Sequence, residues 1–349
     1  MESSYFLGAN TAEGFFSLYG GFCRGAGDYL RIVKGGPGTG KSGFMRALGR
    51  EAARRGYDVE LVRCSGDPGS LDGLYIPALR LGWADGTAPH VSEPGVFGAD
   101  SDYVNLGQFC RTPLSPADAA RAVKLNAAYK ERYARAYALL AAGEKIETAL
   151  TPPDCGDRAP ERAEAVLRAL VDRIAPPCDR PGALSRRFAG AVSCEGIVRD
   201  ESSLEACRLI YVCEDGCGLA SGALAAARDE ALLRGQRVVE LLSPLDGRSS
   251  EGVLLAELQT AFVRTAPQQG GLKKVALDRL CGSLDEIKER RRQLRAARRE
   301  RPRCTEAACG VLREAKALHD ELEAVYRPYM DFPSLDAFTA REIARVFDS

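Results

Sequence analysis

The chain has 349 residues, its 48 lysines and arginines balance 48 aspartates and glutamates, and 45% of its residues are hydrophobic. This neutral charge excludes a whole-chain field that would attract nucleic acid or an anionic membrane, and the apolar content is that of a folded enzyme. Because no apolar run approaches the roughly 20 residues that span a bilayer and no signal sequence begins the chain, we expect a cytoplasmic protein without membrane contact.

The first informative element is a strand, a glycine-rich loop and a helix in that order. The apolar stretch Tyr29–Lys34 predicts a buried strand, and an alanine- and arginine-rich helix follows the loop and ends at Arg55-Gly56. The loop fits G-x-x-x-x-G-K-(S/T), in which backbone N–H groups and a helix N-terminus surround phosphates. This context predicts a nucleoside triphosphate site.

The loop supplies the candidate binding residues. Glycines allow the backbone to approach phosphate closely, the Lys41 ammonium would contact the β- and γ-phosphates, and the Ser42 hydroxyl would ligate Mg²⁺. The residues expected to contact the nucleotide are Gly35, Gly36, Pro37, Gly38, Thr39, Gly40, Lys41, Ser42 and Gly43.

A second acidic element is predicted where a strand within Leu79–Asp85 ends in a carboxylate. This is the form of a Walker B element, so we assign Asp85 as a catalytic, Mg²⁺-holding acid, with a turn cap as the alternative. Asp67 and Asp72 are rival magnesium acids. His90 is either a partner of phosphate or water, or an ordinary loop histidine.

The chain repeats itself with an offset of 179 residues, which places Arg55-Gly56 on Arg234-Gly235. The match runs without a gap from about Leu30 to Leu79, and upstream, in a slightly shifted register, Phe6 matches Phe188. A repeat of this length indicates a duplicated domain rather than a solenoid unit. We predict an active domain over 1–175 and a degenerate domain over 183–349.

The two copies differ in chemistry. In the second loop, Glu214–Ser221, Ala220 replaces Lys41, and the carboxylates Glu214 and Asp215 replace the first two glycines. Carboxylates repel phosphate in a partly buried site, so we expect the second half to keep the fold without binding a triphosphate. Asp67 and Asp72 keep acidic counterparts in this copy, which favours structural roles for both.

Each half is predicted as a three-layer α/β/α domain, a mainly parallel sheet between helices, because strands alternate with helices and no hairpin signal separates them. A helical appendage follows each sheet and is either a lid over the nucleotide or, as we favour, a packing layer. The appendage helices are expected at about 115–150, 161–174, 313–326 and 333–347.

The strongest charge run is Lys288–Arg303. Its interspersed glutamates favour a solvated helix face, and contact with nucleic acid, contact with an acidic protein surface or an arginine acting on the first site are the alternatives. The 12 cysteines include no C-x-x-C pair, which favours reduced thiols over zinc ligands.

Four segments together resemble a family of uncharacterised bacterial ATPases with two tandem P-loop halves. They are Gly8-Ala9-Asn10-Thr11-x-x-Gly14-Phe15, Lys34–Ser42, Ser70-Leu71-Asp72-Gly73 and Asp85-Gly86-Thr87-Ala88-Pro89-His90. The resemblance implies ATP binding and hydrolysis with no assigned substrate. The loop itself is similar to those of AAA-type and RecA-like ATPases. Relatives often keep both P-loops, so the degenerate second loop is a departure.

These observations favour an ATPase that uses ATP and Mg²⁺ in its first half, acting on a protein partner or within a homo-oligomer. A small-molecule or nucleotide kinase and a nucleotide-binding scaffold with little turnover are the alternatives, since all three need Lys41, Ser42 and a magnesium acid.

Overall fold

The computed structural model describes residues 2–151, 158–268 and 271–348, and within them twelve strands form one continuous mixed sheet with helices packed on it. Cys155 lies outside the described residues, and none of the eleven described cysteines is in a disulfide. None of the described helices is both long enough and apolar enough to cross a bilayer.

The elements of the first half are β1 Glu2–Phe6, β2 Gly8–Thr11, β3 Gly14–Ser17, β4 Tyr29–Lys34, α1 Lys41–Arg54, β5 Val59–Arg63, β6 Leu71–Ile76, β7 Leu81–Asp85, β8 Ser101–Asn105, α2 Pro116–Leu150 and α3 Ala159–Ile174. Those of the second half are β9 Ala183–Phe188, β10 Gly190–Ser193, β11 Gly196–Arg199, β12 Leu209–Cys213, α4 Ala220–Leu233, β13 Arg237–Leu242, β14 Ser250–Leu255, β15 Thr260–Val263, β16 Leu272–Val275, α5 Leu284–Ala297, α6 Arg301–Tyr326 and α7 Phe332–Phe347.

Both halves place their strands in the same order. The first half of the sheet runs β1-β5-β6-β7-β4-β8 and the second runs β9-β13-β14-β15-β12-β16. The side pairs β2–β3 and β10–β11 are equivalent hairpins outside the main sheet. The repeat found in the sequence therefore extends to the topology.

The expected alternation of strands and helices is wrong for three strands in each half. β5, β6 and β7 form an antiparallel meander, as do β13, β14 and β15, so that six of the eleven strand pairs in the described sheet are parallel. The β6–β7 connection is the short turn at Pro77–Leu79, which is too short for a parallel crossover.

The two half-sheets join at their equivalent first strands. β1 pairs antiparallel with β9 through Phe6 opposite Phe188, the two residues that the repeat aligns. Both side chains are fully buried in one cluster with Ala9 and Ala191. Pairing of equivalent residues in opposite directions places a pseudo-two-fold axis at this junction.

The third helix of the first half and the last helix of the second are exchanged between the half-sheets. On α3, Leu167 and Val171 pack with Leu224 of α4 in the core of the second half. In return, Leu335 of α7 packs with Phe44 of α1 in the core of the first half. The boundaries 1–175 and 183–349 remain a prediction for the repeat, but each core draws a helix from the other half.

One face of the first half's sheet is covered by α1 and by α7 of the second half. The other face, formed in part by Leu30 and Ile32, packs against Tyr19 and Phe22 of the segment after β3, and no α-helical residue belongs to this described cluster. A second helical layer, the third layer of the predicted α/β/α domain, was expected here. The short hairpin segment replaces it because its aromatic side chains fill the same apolar surface.

The long helices α2 and α6 pack along each other rather than on the sheet. Near one end Leu140 of α2 packs with Leu312 of α6, and near the other Leu125 packs with Leu322. The predicted cap of α2 is confirmed, since Ser115 accepts a hydrogen bond from the N–H of Asp118. These two appendages therefore form a pair that contains one helix from each half.

The exchange of α3 predicts a stability effect that crosses the repeat boundary. We expect Leu167→Ala to lower the free energy of unfolding by about 3 kcal/mol, because it opens a cavity in the core of the second half. Leu233→Ala, at a side chain 81% exposed on α4, is the matched control and should change it by less than about 0.5 kcal/mol. Urea unfolding measures both, and equal effects would contradict the exchange.

Candidate functional site

The glycine-rich loop lies between a strand and a helix, as the sequence predicts. β4 ends at Lys34 and α1 begins at Lys41. Gly38 and Gly40 have φ values of 70° and 84°, in the left-handed region that side chains rarely adopt. A Cβ atom at Gly40 would also lie 2.8 Å from Cδ2 of Leu335. The loop conformation therefore requires glycine at both positions.

The N-terminus of α1 opens on this loop without a side-chain cap. Its N-cap residue is Gly40, which makes no side-chain cap hydrogen bond. The first N–H groups of a helix have no partner within the helix, and the helix dipole adds partial positive charge there. The end of α1 is therefore suited to an anion.

Lys41 lies against the loop and beside the predicted acid. Its Nζ donates to the carbonyl oxygens of Gly35 and Gly36 at 2.9 and 3.0 Å, and it lies 3.7 Å from Oδ2 of Asp85. This proximity follows from the sheet, because β4 and β7 are adjacent parallel strands with Val33 opposite Asp85. The two residues assigned catalytic roles are thus brought together.

The two carboxylate oxygens of Asp85 have different contacts, one in a turn cap and the other beside the loop lysine. Its Oδ1 accepts hydrogen bonds from the N–H and hydroxyl of Thr87 at 2.8 and 2.6 Å, which is the turn-cap alternative. Its Oδ2 faces Lys41. The Ser42 hydroxyl oxygen accepts from the N–H of Leu71 at 3.0 Å, and the equivalent Ser221 makes the same bond in the second half. Because the second half has Ala220 in place of Lys41, this hydrogen bond of the serine does not depend on the lysine.

A large cavity surrounds these groups. It has a volume of about 1140 Å³ and is lined by the loop, Cys64–Asp67, Gly69–Asp72, Asp85, Thr87–His90 and one side of each of α2 and α6. Ligand pockets in proteins are typically about 300–1,000 Å³, so the space suffices for a nucleotide. The appendage helices, for which a packing role was favoured, are walls of this cavity.

The sequence analysis missed the side chains that these helices contribute. α2 presents Tyr129, Tyr133 and Tyr137, four residues apart. α6 and the turn that follows it present polar side chains that include Lys316 and Arg327. Burial raises the pKa of Tyr129 to about 12, which keeps its hydroxyl protonated. The spacing of three and four residues on one helix face was the available signal.

The rival acids each have a protein partner. Oδ2 of Asp72 lies 3.1 Å from Nε2 of His90, and both side chains are buried. Burial opposes the charged imidazole, but the negative charges of Asp72 and Asp85 outweigh it and raise the pKa of His90. Asp67 lies 3.5 Å from Nζ of Lys316. His90 is thus buried against an acid and is not an exposed loop residue.

α6 also carries a group of potential metal ligands. One donor atom each of His319, Asp320 and Glu323 lies within 4.8 Å of the others, and all three residues line the cavity. Among the residues that the structure describes, no cysteine belongs to such a group. These residues offer a cation mixed nitrogen and oxygen ligands, in addition to the predicted pair Ser42 and Asp85.

The second loop is filled by a carboxylate of the protein itself. Asp278, which is 3% exposed, accepts hydrogen bonds from the N–H groups of Gly216 and Cys217 at 3.2 and 2.8 Å. Arg291 of α5 donates to the same carboxylate at 3.0 Å. N–H groups that would point at phosphate in a nucleotide-binding loop are therefore already paired.

At the position equivalent to Asp278, the first half has a glycine. Each sheet's last strand leads into a short 3-10 helix, Leu106–Phe109 and Leu277–Leu280, with Gly107 and Asp278 as the second residues. The N atom of Gly107 lies 3.5 Å from where a Cβ of Gly35 would be. The first loop therefore lacks the side chain that fills the second.

Of the two carboxylates predicted in the second loop, only Asp215 forms a hydrogen bond within the loop. Asp215 accepts from the N–H of Leu219 within the loop and pairs with Arg264 at 3.1 Å. Glu214 instead pairs with Lys274 at 2.9 Å. The negative charge in the loop thus comes from Asp215 and the unpredicted Asp278.

The charge run Lys288–Arg303 is largely matched by acids. Lys288 pairs with Asp285, Arg292 with Glu289 and Arg303 with Glu300, while Arg298 and Arg301 approach Glu147 of α2. Such pairing is typical of a solvated helix face. Contact of this run with nucleic acid stays a prediction.

Comparison of the chain with protein-family models, with curated proteins and with solved structures finds no match.

The filled second loop predicts that Asp278 stabilises the fold. Asp278→Ala leaves two loop N–H groups and Arg291 without their acceptor, so we expect the free energy of unfolding to fall by about 3 kcal/mol. The control is Asp285→Ala, at a carboxylate 94% exposed, with an expected change below about 0.5 kcal/mol. A wild-type denaturation midpoint for Asp278→Ala would contradict the assigned contact.

The raised pKa of His90 predicts a pH dependence of stability. The folded protein holds the His90 proton more tightly than the unfolded chain does. The contribution of His90 to the free energy of unfolding is therefore complete below the pKa of the unfolded chain, about 6.5, and is lost as the pH rises through the pKa of the folded protein. We expect the stability advantage of the wild type over His90→Gln to shrink as the pH rises above about 6.5. Urea unfolding in metal-free buffer tests this, and a constant or growing difference would show that His90 is not stabilised in its charged form.

Proposed function

We propose that the chain is an ATPase that binds Mg·ATP in the first half and hydrolyses it there, while the second half is a P-loop-like domain without nucleotide. The observation that carries this proposal is the juxtaposition of Lys41 and Asp85 at the open end of α1, inside a cavity large enough for a nucleotide. The strand, loop and helix that hold these residues have the geometry that phosphate cradles require.

The residues of the loop fit a triphosphate by their chemistry. The cap-free helix N-terminus and the glycines at positive φ allow phosphate to approach the backbone. Lys41 now donates to two loop carbonyl groups, and phosphate oxygens are stronger acceptors because they are charged. Nucleotide binding would therefore draw the ammonium from the loop carbonyls to the phosphates.

A magnesium ion would be held by Ser42 and Asp85. Their oxygens are hard ligands of the kind that Mg²⁺ prefers, and both residues line the cavity. When bound, the ion would neutralise charge on the β- and γ-phosphate oxygens. The hydrogen bond from Leu71 to Ser42 and the cap on Thr87 fix the orientation of both side chains before any ion binds.

Phosphoryl transfer to a small acceptor is the second candidate function. The cavity extends from the loop to the tyrosines of α2, and this additional wall could contact an acceptor molecule. The nucleotide would bind in the same way, but an acceptor hydroxyl would replace water as the nucleophile. A scaffold that binds without turnover would use the same residues.

Phosphate release from Mg·ATP tests the proposal. We expect steady turnover by the wild type, binding of one nucleotide per chain by calorimetry, and a loss of at least about a hundredfold in kcat for Lys41→Ala. The control is Lys288→Ala, at a side chain 75% exposed on α5, which should keep wild-type turnover.

Three other outcomes separate the alternatives. ADP formation that depends on an added acceptor and yields no free phosphate would identify a kinase. Binding without any turnover would identify a scaffold. Absence of nucleotide binding to the wild type would refute the proposed site itself.

A further inference from the structure

The second half of the chain forms part of the wall of the first half's cavity. α6 belongs to the second half, yet a Cβ at Gly38 would lie 3.1 Å from the carbonyl oxygen of Glu323. A Cβ at Gly36 would lie 4.0 Å from the ring of Tyr326. The last turn of α6 therefore lies directly against the middle of the phosphate loop.

Three cationic side chains besides Lys41 line this cavity within the described part of the chain: Lys130, Lys316 and Arg327. Lys316 is engaged by Asp320 and lies 3.5 Å from Asp67. Arg327, at the end of α6, is held loosely, with its guanidinium 3.9 Å from Glu323 and its side chain 67% exposed. Arg327 is therefore able to reorient toward a ligand.

The position of Arg327 follows from its neighbour Glu323. Glu323 touches the loop at Gly38, and the Glu323 carboxylate holds the guanidinium one helical turn further on. Among the described residues that line the cavity, Arg327 is the sole arginine. A guanidinium suits a phosphoryl group better than an ammonium because its planar donors can contact two oxygens at once.

Resting on the proposed function, we propose that Arg327 is a catalytic residue of the first-half site, contributed by the second half of the same chain. During hydrolysis, water adds to the γ-phosphorus and the bond to the β–γ bridging oxygen breaks, which yields ADP, inorganic phosphate and the proton lost by water. Negative charge on the γ-phosphoryl oxygens is spread in the transition state, and the guanidinium stabilises it there. Because its pairing with Glu323 is only at 3.9 Å, the guanidinium can turn to the phosphates when they bind.

This assignment gives the second half a direct part in the reaction. Its own loop is filled by Asp278, whereas its helix α6 reaches across to the loop of the first half. Turnover would then require the two halves to keep their relative position.

The test compares Arg327→Ala and Arg327→Lys with Arg313→Ala, a change at an exposed arginine of the same helix outside this cavity. We expect kcat for phosphate release to fall about a thousandfold for Arg327→Ala, with the Kd for Mg·ATP within about threefold of wild type. Arg327→Lys should restore little, because an ammonium lacks the planar pair of donors. Arg313→Ala should match the wild type.

A second measurement separates a transition-state contact from a structural role. Aluminium fluoride, a mimic of the transferred phosphoryl group, should tighten Mg·ADP binding to the wild type and not to Arg327→Ala, while Mg·ADP alone binds both equally. Unchanged kcat in Arg327→Ala, or a raised KM with unchanged kcat, would overturn the inference and leave the ATPase proposal intact. A wild type that neither hydrolyses ATP nor responds to aluminium fluoride would overturn both.

Discussion

The antiparallel pairing of β1 with β9 is the constraint on which the rest of the architecture depends. It buries Phe6 against Phe188 and turns two six-stranded half-sheets into one sheet. An edge strand left unpaired would expose a row of backbone donors and acceptors, and this junction covers both first-strand edges at once. Joining equivalent strands also brings the two halves close enough to exchange α3 and α7 and to pair α2 with α6. The cavity is thus a product of the junction, since it needs walls from both halves.

The two halves share one strand, loop and helix arrangement but differ in the charges placed at the loop. Both halves place a glycine-containing loop between a strand and a helix. In both, a serine at the start of the helix bonds to the first residue of the second strand that follows, β6 or β14. In the second half Asp278 neutralises the loop N–H groups, and Arg291 balances that carboxylate. In the first half Gly107 leaves this space free of a side chain. The two loops thus differ by the carboxylates of Asp215 and Asp278 in the second half and by the lysine in the first.

The bounds of individual strands and helices were predicted from the sequence more accurately than the contacts between distant elements. The bounds of β4, α1 and α2 follow from β-branched residues, glycines and the Ser115 cap, which act within a few residues. The exchange of α3 could not be predicted, because its apolar face fits either sheet and periodicity does not say which. The Asp278 contact was not predicted because the repeat was not followed as far as the two 3-10 segments. Alignment of the two 3-10 segments would have set Asp278 against Gly107.

The exchange of helices has a consequence for how the chain is made. The core of the first half includes Leu335 of α7, which leaves the ribosome after all the strands of the second half. Domains usually fold as units during synthesis, with the N-terminal one first. Here the first sheet must wait, with part of its apolar surface uncovered, for a helix almost 300 residues after α1 begins. Folding of the first half is therefore expected to be slow and to finish only after the second half has been made.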